Sequence, residues 1–218
     1  MIARLYHCLD ARSFRPLWTL EEMGLLYELH MLPFPPRAFA KEYKDINPLG
    51  TVPAFIDEHG LMTESAAICQ YLVTRYGPSS LAVGPDETDY GAWLQWLHFG
   101  EATLTFPQTL LLRYGKFEPP ERRQPQVVDD YSAWFLGRLR AVDRALTGKD
   151  YLCAGRFTVA DISVGYALLL AESLGFAKDF SPAIAAWWQR LQARPAYQKA
   201  QRVQHEAAQQ LGLLSPIV

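Results

Sequence analysis

With 218 residues, 50% of them hydrophobic, the chain is long enough for one large domain or two small ones with packed cores. Its 21 Lys and Arg against 23 Asp and Glu give a formal charge of -2 with no polybasic run, which excludes nucleic acid and anionic membrane surfaces as expected partners. Cys8, Cys69 and Cys153 form no CxxC, no metal-ligand pair and no even-numbered disulfide framework, so a reducing compartment is expected. Arg4 and Asp10 interrupt the N-terminal apolar residues, against a signal peptide, and no apolar run reaches the roughly 18 residues of a membrane span. The cytoplasm is therefore the expected location. His7, His30, His59, His98 and His205 have no partner four residues away, and no metal site is expected.

Residues 2–7 read as a short strand. A helix follows over 13–23, with Phe14, Leu17, Trp18 and Glu21 on adjacent turns, Pro16 in its first turn and Gly24 ending it. Residues 27–32 alternate as a second strand. Pro33, Pro35 and Pro36 open a loop, and a short helix is expected over 40–45. Asn47-Pro48 and Leu49-Gly50 punctuate a turn before the apolar strand Ala54, Phe55, Ile56, which is entered from Val52-Pro53. The hairpin Asp57-Glu58-His59-Gly60 returns it through Leu61, Met62 and Thr63 to Glu64-Ser65, where the pattern Ile68, Tyr71, Leu72, Arg75 begins a helix. This order, β-α-β-α-β-β-α, predicts a mixed sheet covered by helices.

Residues 77–80, Gly-Pro-Ser-Ser, break the pattern, and the expected division is a first domain over 1–78, a linker over 79–88 and an all-helical domain over 89–218. Trp93, Leu97 and Leu104 recur at helical spacing, as do Tyr131, Phe135, Leu139, Val142 and Leu146. Thr158-Val159-Ala160-Asp161 is a capping box, with Phe157 positioned to staple onto Ile162. Another helix is expected from Pro182, with a turn at Pro195-Ala196.

Three recognition features converge over residues 47–71. Proline cannot donate to a ladder, so Pro53 must stand at the mouth of its strand, leaving the peptide unit of Val52 for a ligand. A helix N-terminus carrying Ser65 suits a carboxylate, and the neighbouring Glu64 suits an ammonium group. Together they match the zwitterionic end of an amino acid, with strand-like pairing at Val52 for a short peptide.

Val52-Pro53 followed by Glu64-Ser65 resembles the glutathione-binding half of a cytosolic glutathione transferase, and the later stretches extend the resemblance over nearly the whole chain. The resemblance implies a thioredoxin-like α/β domain followed by an all-α domain, and a cis peptide before Pro53. It also implies that Val52 pairs with the cysteinyl unit of glutathione and that Glu64 and Ser65 hold the γ-glutamyl group. Lys41 is a candidate for the glycyl carboxylate. Ala11-Arg12-Ser13-Phe14-Arg15-Pro16-Leu17-Trp18 is similar to a bacterial and fungal branch whose serine, the usual partner of the thiolate, falls here at Ala11.

The sulfur of glutathione would lie at the start of the first helix. Lowering a thiol pKa of about 8.5 by about two units demands about 3 kcal/mol, more than the ~2 kcal/mol a helix dipole supplies at best, so one hydrogen bond to the sulfur is decisive. Ser13, two residues on from Ala11, is a candidate donor or a helix cap; Tyr6, at the end of the first strand, is a donor or a packed aromatic. Arg12 and Arg15 are candidates for electrostatic assistance. Cys8 falls in or beside the strand and reads as a buried structural thiol. Trp96, Phe99, Leu104, Phe106, Leu110 and Tyr114 concentrate apolar surface after the linker, with Phe106, Leu110 and Tyr114 the expected walls of a hydrophobic substrate pocket; Pro107 is expected to kink or end a helix there. The function implied is conjugation of glutathione, bound as thiolate, to small hydrophobic electrophiles by a homodimer. Peroxide reduction or isomerisation on the same site, or a catalytically silent glutathione-binding or protein-interaction module, are the alternatives.

Overall fold

In the computed structural model, which describes residues 2–213 and 215, the first strand β1 (Ala3–His7) leads into α1 (Phe14–Met23), and β2 (Tyr27–Met31) returns parallel to β1. A single helical turn α2 (Pro36–Phe39) and a 3-10 turn (Lys41–Asp45) precede the hairpin β3 (Ala54–Asp57) and β4 (Gly60–Met62), and α3 (Ser65–Arg75) follows. The strands lie in the order β2-β1-β3-β4, with β3 antiparallel to both β1 and β4. This is the mixed, thioredoxin-like sheet that the element order implies. Two local details differ from the sequence reading. The 40–45 helix is a 3-10 turn, and Pro36 opens α2 where a loop was expected, because the first turn of a helix has no need of a proline N–H.

Helix α1 buries Phe14, Leu17, Trp18 and Leu20 completely. It stops at Gly24, whose φ of 61° lets its N–H close on the carbonyls of Glu21 and Leu20.

By contact the chain falls into two units: residues up to Ala82 together with those from Gln192 onward, and Val83–Leu191. The last helix, α9 (Pro195–Gln210), thus belongs with the first unit, although the sequence reading assigned everything after 89 to the helical domain. The reason lies on α1, which presents an aromatic and acidic flank to α9. The Tyr197 ring meets Trp18 and Phe14 edge-on at 4.9 and 5.7 Å. Arg194 grips the Glu22 carboxylate through Nε at 2.6 Å and Nη2 at 2.8 Å, and Lys199 Nζ lies 2.7 Å from Glu21.

In the second unit α4 (Tyr90–His98), a π-helical stretch (Phe99–Thr105), α5 (Phe106–Leu112) and a second π-helical stretch (Arg113–Phe117) follow one another without a break. Pro107 therefore does not end the helix as expected. It sits buried in the first turn of α5, directly after π-helical backbone whose wider turn tolerates the missing donor, and the Gln108 side chain bonds the Leu104 carbonyl at 2.9 Å. The unit continues through α6 (Pro125–Leu146), α7 (Val159–Ser173) and α8 (Pro182–Gln192).

Helix α7 is buried over most of its length, and the first π-helical stretch crosses it at Gly100. A methyl group at Gly100 would stand 2.5 Å from the carbonyl carbon and Oγ of Ser163, whose hydroxyl is itself bonded to the Leu97 carbonyl at 2.6 Å. Backbone cannot yield as a flexible side chain can. Gly100→Ala is expected to lower the unfolding free energy by about 1–3 kcal/mol; a urea midpoint unchanged from wild type would show that the crossing has slack.

The capping box at the start of α7 is present. Ala160 N–H donates to Thr158 Oγ1 and Thr158 N–H to Asp161 Oδ2, at 3.2 and 2.9 Å. Asp161 does more than cap: its Oδ1 also accepts the Leu152 N–H at 3.1 Å and the Trp187 indole N–H at 3.3 Å, all in full burial.

Candidate active site

One end of the sheet gathers three chain starts. There β1 runs out into α1, β3 is entered from Val52-Pro53, and β4 runs into α3. The Val52–Pro53 peptide is cis. The β3–β4 ladder runs from Asp57 opposite Gly60 to Phe55 opposite Met62; Val52-Pro53 lies just before the first of these strands and Glu64-Ser65 just after the second. The expected ligand-binding pairs therefore flank the same end of one hairpin. Neither the N–H nor the C=O of Val52 joins a backbone hydrogen bond among the described residues.

The approach to Val52 is held from behind. Asn47 is buried; its Nδ2 donates to the Thr51 carbonyl at 2.8 Å, and the Tyr43 hydroxyl donates to the same oxygen at 2.8 Å. Gly50 turns the chain at φ 60°, where a side chain would strike Arg37 Cβ at 2.8 Å.

Ser65 is the first residue of α3 and is buried, while Glu64 before it is exposed. Arg15, fully buried on α1, donates from Nη1 to Ser65 Oγ at 3.1 Å. A guanidinium is thereby placed beside a helix N-terminus, and both favour a carboxylate at that point. The sequence reading weighed Arg15 as electrostatic help to the thiolate or as a solvated or carboxylate-paired side chain, not as a partner of Ser65. Its pairing with Ser65, fifty positions away, has no local signal.

The candidates for the thiolate bond are placed otherwise than expected. Ser13 is fully buried at the start of α1 and makes no side-chain cap; its Oγ lies 2.6 Å from His7 Nδ1. His7 Nε2 in turn lies 3.0 Å from Gln204 Oε1. That oxygen also accepts the Asp10 N–H at 3.1 Å, while Gln204 Nε2 points at two oxygens, Asp10 Oδ1 and Gln201 Oε1, so the amide is oriented without ambiguity. His7 Nε2 therefore carries the proton, Nδ1 accepts, and the Ser13 hydroxyl donates to His7. Its hydrogen is committed away from any sulfur.

Burial holds His7 down to about 4, the bond to Gln204 offsetting part of that effect. Because the folded value lies below the ordinary 6.5, this contribution to stability is complete above 6.5 and is lost as pH falls through about 4. An imidazole NMR titration is expected to show His7 neutral at about pH 5.5; a protonated ring there would contradict the network.

Tyr6, the other expected donor, is packed through its ring. It stacks on His30 at 4.7 Å and leans on Tyr43 at 5.4 Å, in a cluster with Ala40 and Ala54. Cys8 is fully buried, 3.7 Å from the Pro33 carbonyl, and burial pushes its thiol up to about 12, as befits a structural residue. Lys41 stands exposed at the start of its 3-10 turn. Ala11 and Arg12 are half-buried at the N-terminus of α1.

Within the second unit Phe106 is exposed and Leu110 and Tyr114 are half-buried, four residues apart along the continuous helix, which puts them on one accessible stripe. A separate hollow of about 510 Å³ lies between Phe99 and Thr103 on one side and Arg138, Arg140 and Arg144 of α6 on the other; no residue of the expected pocket lines it. Among the described residues no group of three or more His, Cys, Asp or Glu could hold a metal ion, and no helix is long and apolar enough to cross a membrane.

The family model described as glutathione S-transferase, N-terminal domain, matches residues 1–74, and that described as glutathione S-transferase, C-terminal domain, matches residues 66–195. The chain belongs to the glutathione S-transferase family. This transferase is 31% identical over 160 residues to glutathione S-transferase GstA of Escherichia coli O157:H7, covering 73% of the chain and 76% of that protein. To the probable glutathione S-transferase GSTF2 of Oryza sativa subsp. japonica it is 31% identical over 190 residues, covering 83% and 86%. Among solved structures the transferase is similar to Ure2p5 from Phanerochaete chrysosporium, cocrystallized with 1-(S-glutathionyl)-2,4-dinitrobenzene, at a TM-score of 0.83 and 26% identity over 96% of this chain and 97% of that one.

Proposed function

We propose that this glutathione S-transferase binds glutathione in extended form along the Val52 peptide, with the γ-glutamyl ammonium on Glu64 and its carboxylate on Ser65 and the start of α3. Pro53 sets the direction of that peptide, and Lys41 attracts the glycyl carboxylate from the surface. What supports the reading is the register of the β3–β4 hairpin, which leaves Val52-Pro53 and Glu64-Ser65 at the same end of it, together with the bond from Arg15 to the Ser65 hydroxyl.

The sulfur then lies at the start of α1 and attacks a small hydrophobic electrophile, by addition or aromatic substitution, with Phe106, Leu110 and Tyr114 offering apolar surface to that second substrate. With Ser13 Oγ committed to His7 and Tyr6 packed on His30, the stabilising bond to the thiolate falls to the Ser13 N–H at the N-cap of α1, supported by the charge of Arg12; the Phe14 and Arg15 N–H groups already bond the Ala11 and Arg12 carbonyls, and Pro16 has none. The magnitudes allow it: about 2 kcal/mol from a partly buried helix dipole and about 1.5–3 kcal/mol from an N–H bonded to a charged acceptor exceed the ~3 kcal/mol needed. Catalysis is then proximity plus a ready nucleophile.

Isothermal titration with glutathione, beside an ultraviolet titration of the bound thiolate from about pH 5 to about pH 9, tests this. Binding with the thiol pKa lowered by about one unit or more, and turnover of a chlorodinitrobenzene, are the expected results. Absence of binding would sink the whole reading. Ala11 at the usual serine position and the engaged Ser13 favour one second reading, a silent glutathione-binding module, for which binding without any shift in the thiol is the signature. The same proposal makes the protein a cytoplasmic homodimer that needs no metal, to be checked by light scattering and elemental analysis.

A further inference from the structure

Gln204 of α9 is fully buried, and its carboxamide uses all of its hydrogen-bonding capacity on this end of the sheet. Oε1 accepts from His7 Nε2 at 3.0 Å and from the Asp10 N–H at 3.1 Å; Nε2 donates to Asp10 Oδ1 at 2.9 Å and to Gln201 Oε1 at 2.8 Å. Asp10 stands in the left-handed region at φ 55°, and its other carboxylate oxygen accepts from Ser215 Oγ at 2.7 Å. The two residues after it, Ala11 and Arg12, complete a tight turn, in which the Ala11 N–H returns to the Cys8 carbonyl at 3.1 Å and Phe14 N–H to the Ala11 carbonyl at 2.8 Å. Side chains anchor the turn over 8–12 besides its own backbone: Gln204 and Ser215 on Asp10, and Ser13 on the Cys8 N–H and on His7, which Gln204 also holds.

We infer that Gln204 is a positioning residue for the conjugation reaction: it fixes the turn over residues 8–12 and, through that turn, the Ser13 N–H at the N-cap of α1, on which the glutathione sulfur rests. The inference depends on the site proposed above. It assigns to the C-terminal helix a part in chemistry that is otherwise carried by the first 65 residues. No other side chain of this length replaces the amide. A glutamate keeps both acceptor contacts but loses both donors and sets a second carboxylate against Asp10; a leucine keeps the bulk and strands the His7 and Asp10 N–H groups.

The test is the pKa of bound glutathione thiol, with kcat and KM for glutathione, in wild type, Gln204→Leu, Gln204→Glu and the pair Asp10→Asn with Gln204→Glu. For Gln204→Leu the bound thiol is expected to rise by about one unit and kcat near neutral pH to fall about tenfold, while KM for glutathione stays within about threefold because Val52, Glu64 and Ser65 are untouched. Gln204→Glu, isosteric and so still folded, should show a smaller shift in the same direction. The double substitution exchanges donor and acceptor across the pair and should bring the thiol back toward wild type. A lowered melting temperature with an unchanged thiol pKa and kcat in Gln204→Glu or Gln204→Leu would reduce Gln204 to a packing role and overturn the inference. A wild-type protein that binds no thiolate would instead overturn the site reading beneath it, so the two failures are distinguishable.

Discussion

Asp161→Ala is expected to cost about 3–5 kcal/mol of unfolding free energy, measured by urea unfolding followed through tryptophan fluorescence. The substitution strands three buried donors, the N–H groups of Leu152 and Thr158 and the Trp187 indole, each of which costs about 1–3 kcal/mol when left without an acceptor. Loss of the helix cap is included in that sum rather than added to it. The carboxyl also has a pH signature. Complete burial drives it up to about 6, with the surrounding N–H donors pulling partly the other way. Its folded value lies above the ordinary 3.8, so this group's contribution is fully present below 3.8 and is lost as pH rises through about 6, a change of about 3 kcal/mol. Asp161→Asn should erase that slope while keeping the side-chain volume. If wild type and Asp161→Asn show parallel pH profiles from about 4 to about 7, the carboxyl titrates where an exposed one does.

The second large effect falls on ligand binding. Glu64→Gln with Ser65→Ala is expected to weaken glutathione by about a hundredfold or more in calorimetry, since each removes a charge-assisted hydrogen bond of about 1.5–3 kcal/mol. Activity should follow as a rise in KM with a smaller change in kcat, because these groups hold the γ-glutamyl end equally in ground and transition states. Lys41→Ala, at an exposed position, is expected to cost only about threefold. A double variant that binds glutathione within threefold of wild type would falsify the hairpin argument for Val52 and Ser65.

The elements that carry the proposed binding residues were legible because their signals are local. Val52-Pro53 and Glu64-Ser65 each sit at a junction that proline and helix-start chemistry mark in the sequence, on either side of the hairpin of β3 and β4. The fold was legible for the same reason, down to Gly24 at the end of α1 and the Thr158–Asp161 box. The chemistry at the sulfur was not. Ser13 reads as a cap or a donor from its neighbours alone, and only the alternation of β1 together with a helix nearly two hundred residues later reveals that His7 takes its proton. Arg15 and Ser65 meet across fifty positions, and the pairing leaves no periodic trace. Pro107 was expected to kink or end a helix; it does not end one, because the backbone before it is wound more widely than an α-helix. The assignment of α9 went astray because helical periodicity reports that a helix has a buried face, not which partner covers it.

The bond between His7 and Gln204 spans 197 positions, and this has a consequence for how the protein is made. Synthesis is vectorial: β1 and α1 leave the ribosome when α9 has not yet been encoded into chain. Until α9 is made, His7, Asp10, Trp18 and Glu22 have none of the partners that it brings, and the aromatic flank of α1 stays open to solvent. The residues Val83–Leu191 are complete before that point. The unit whose sequence emerges first is therefore the one that finishes last, and a nascent chain arrested short of Gln204 should hold a structured middle beside an N-terminal segment still dependent on chaperones.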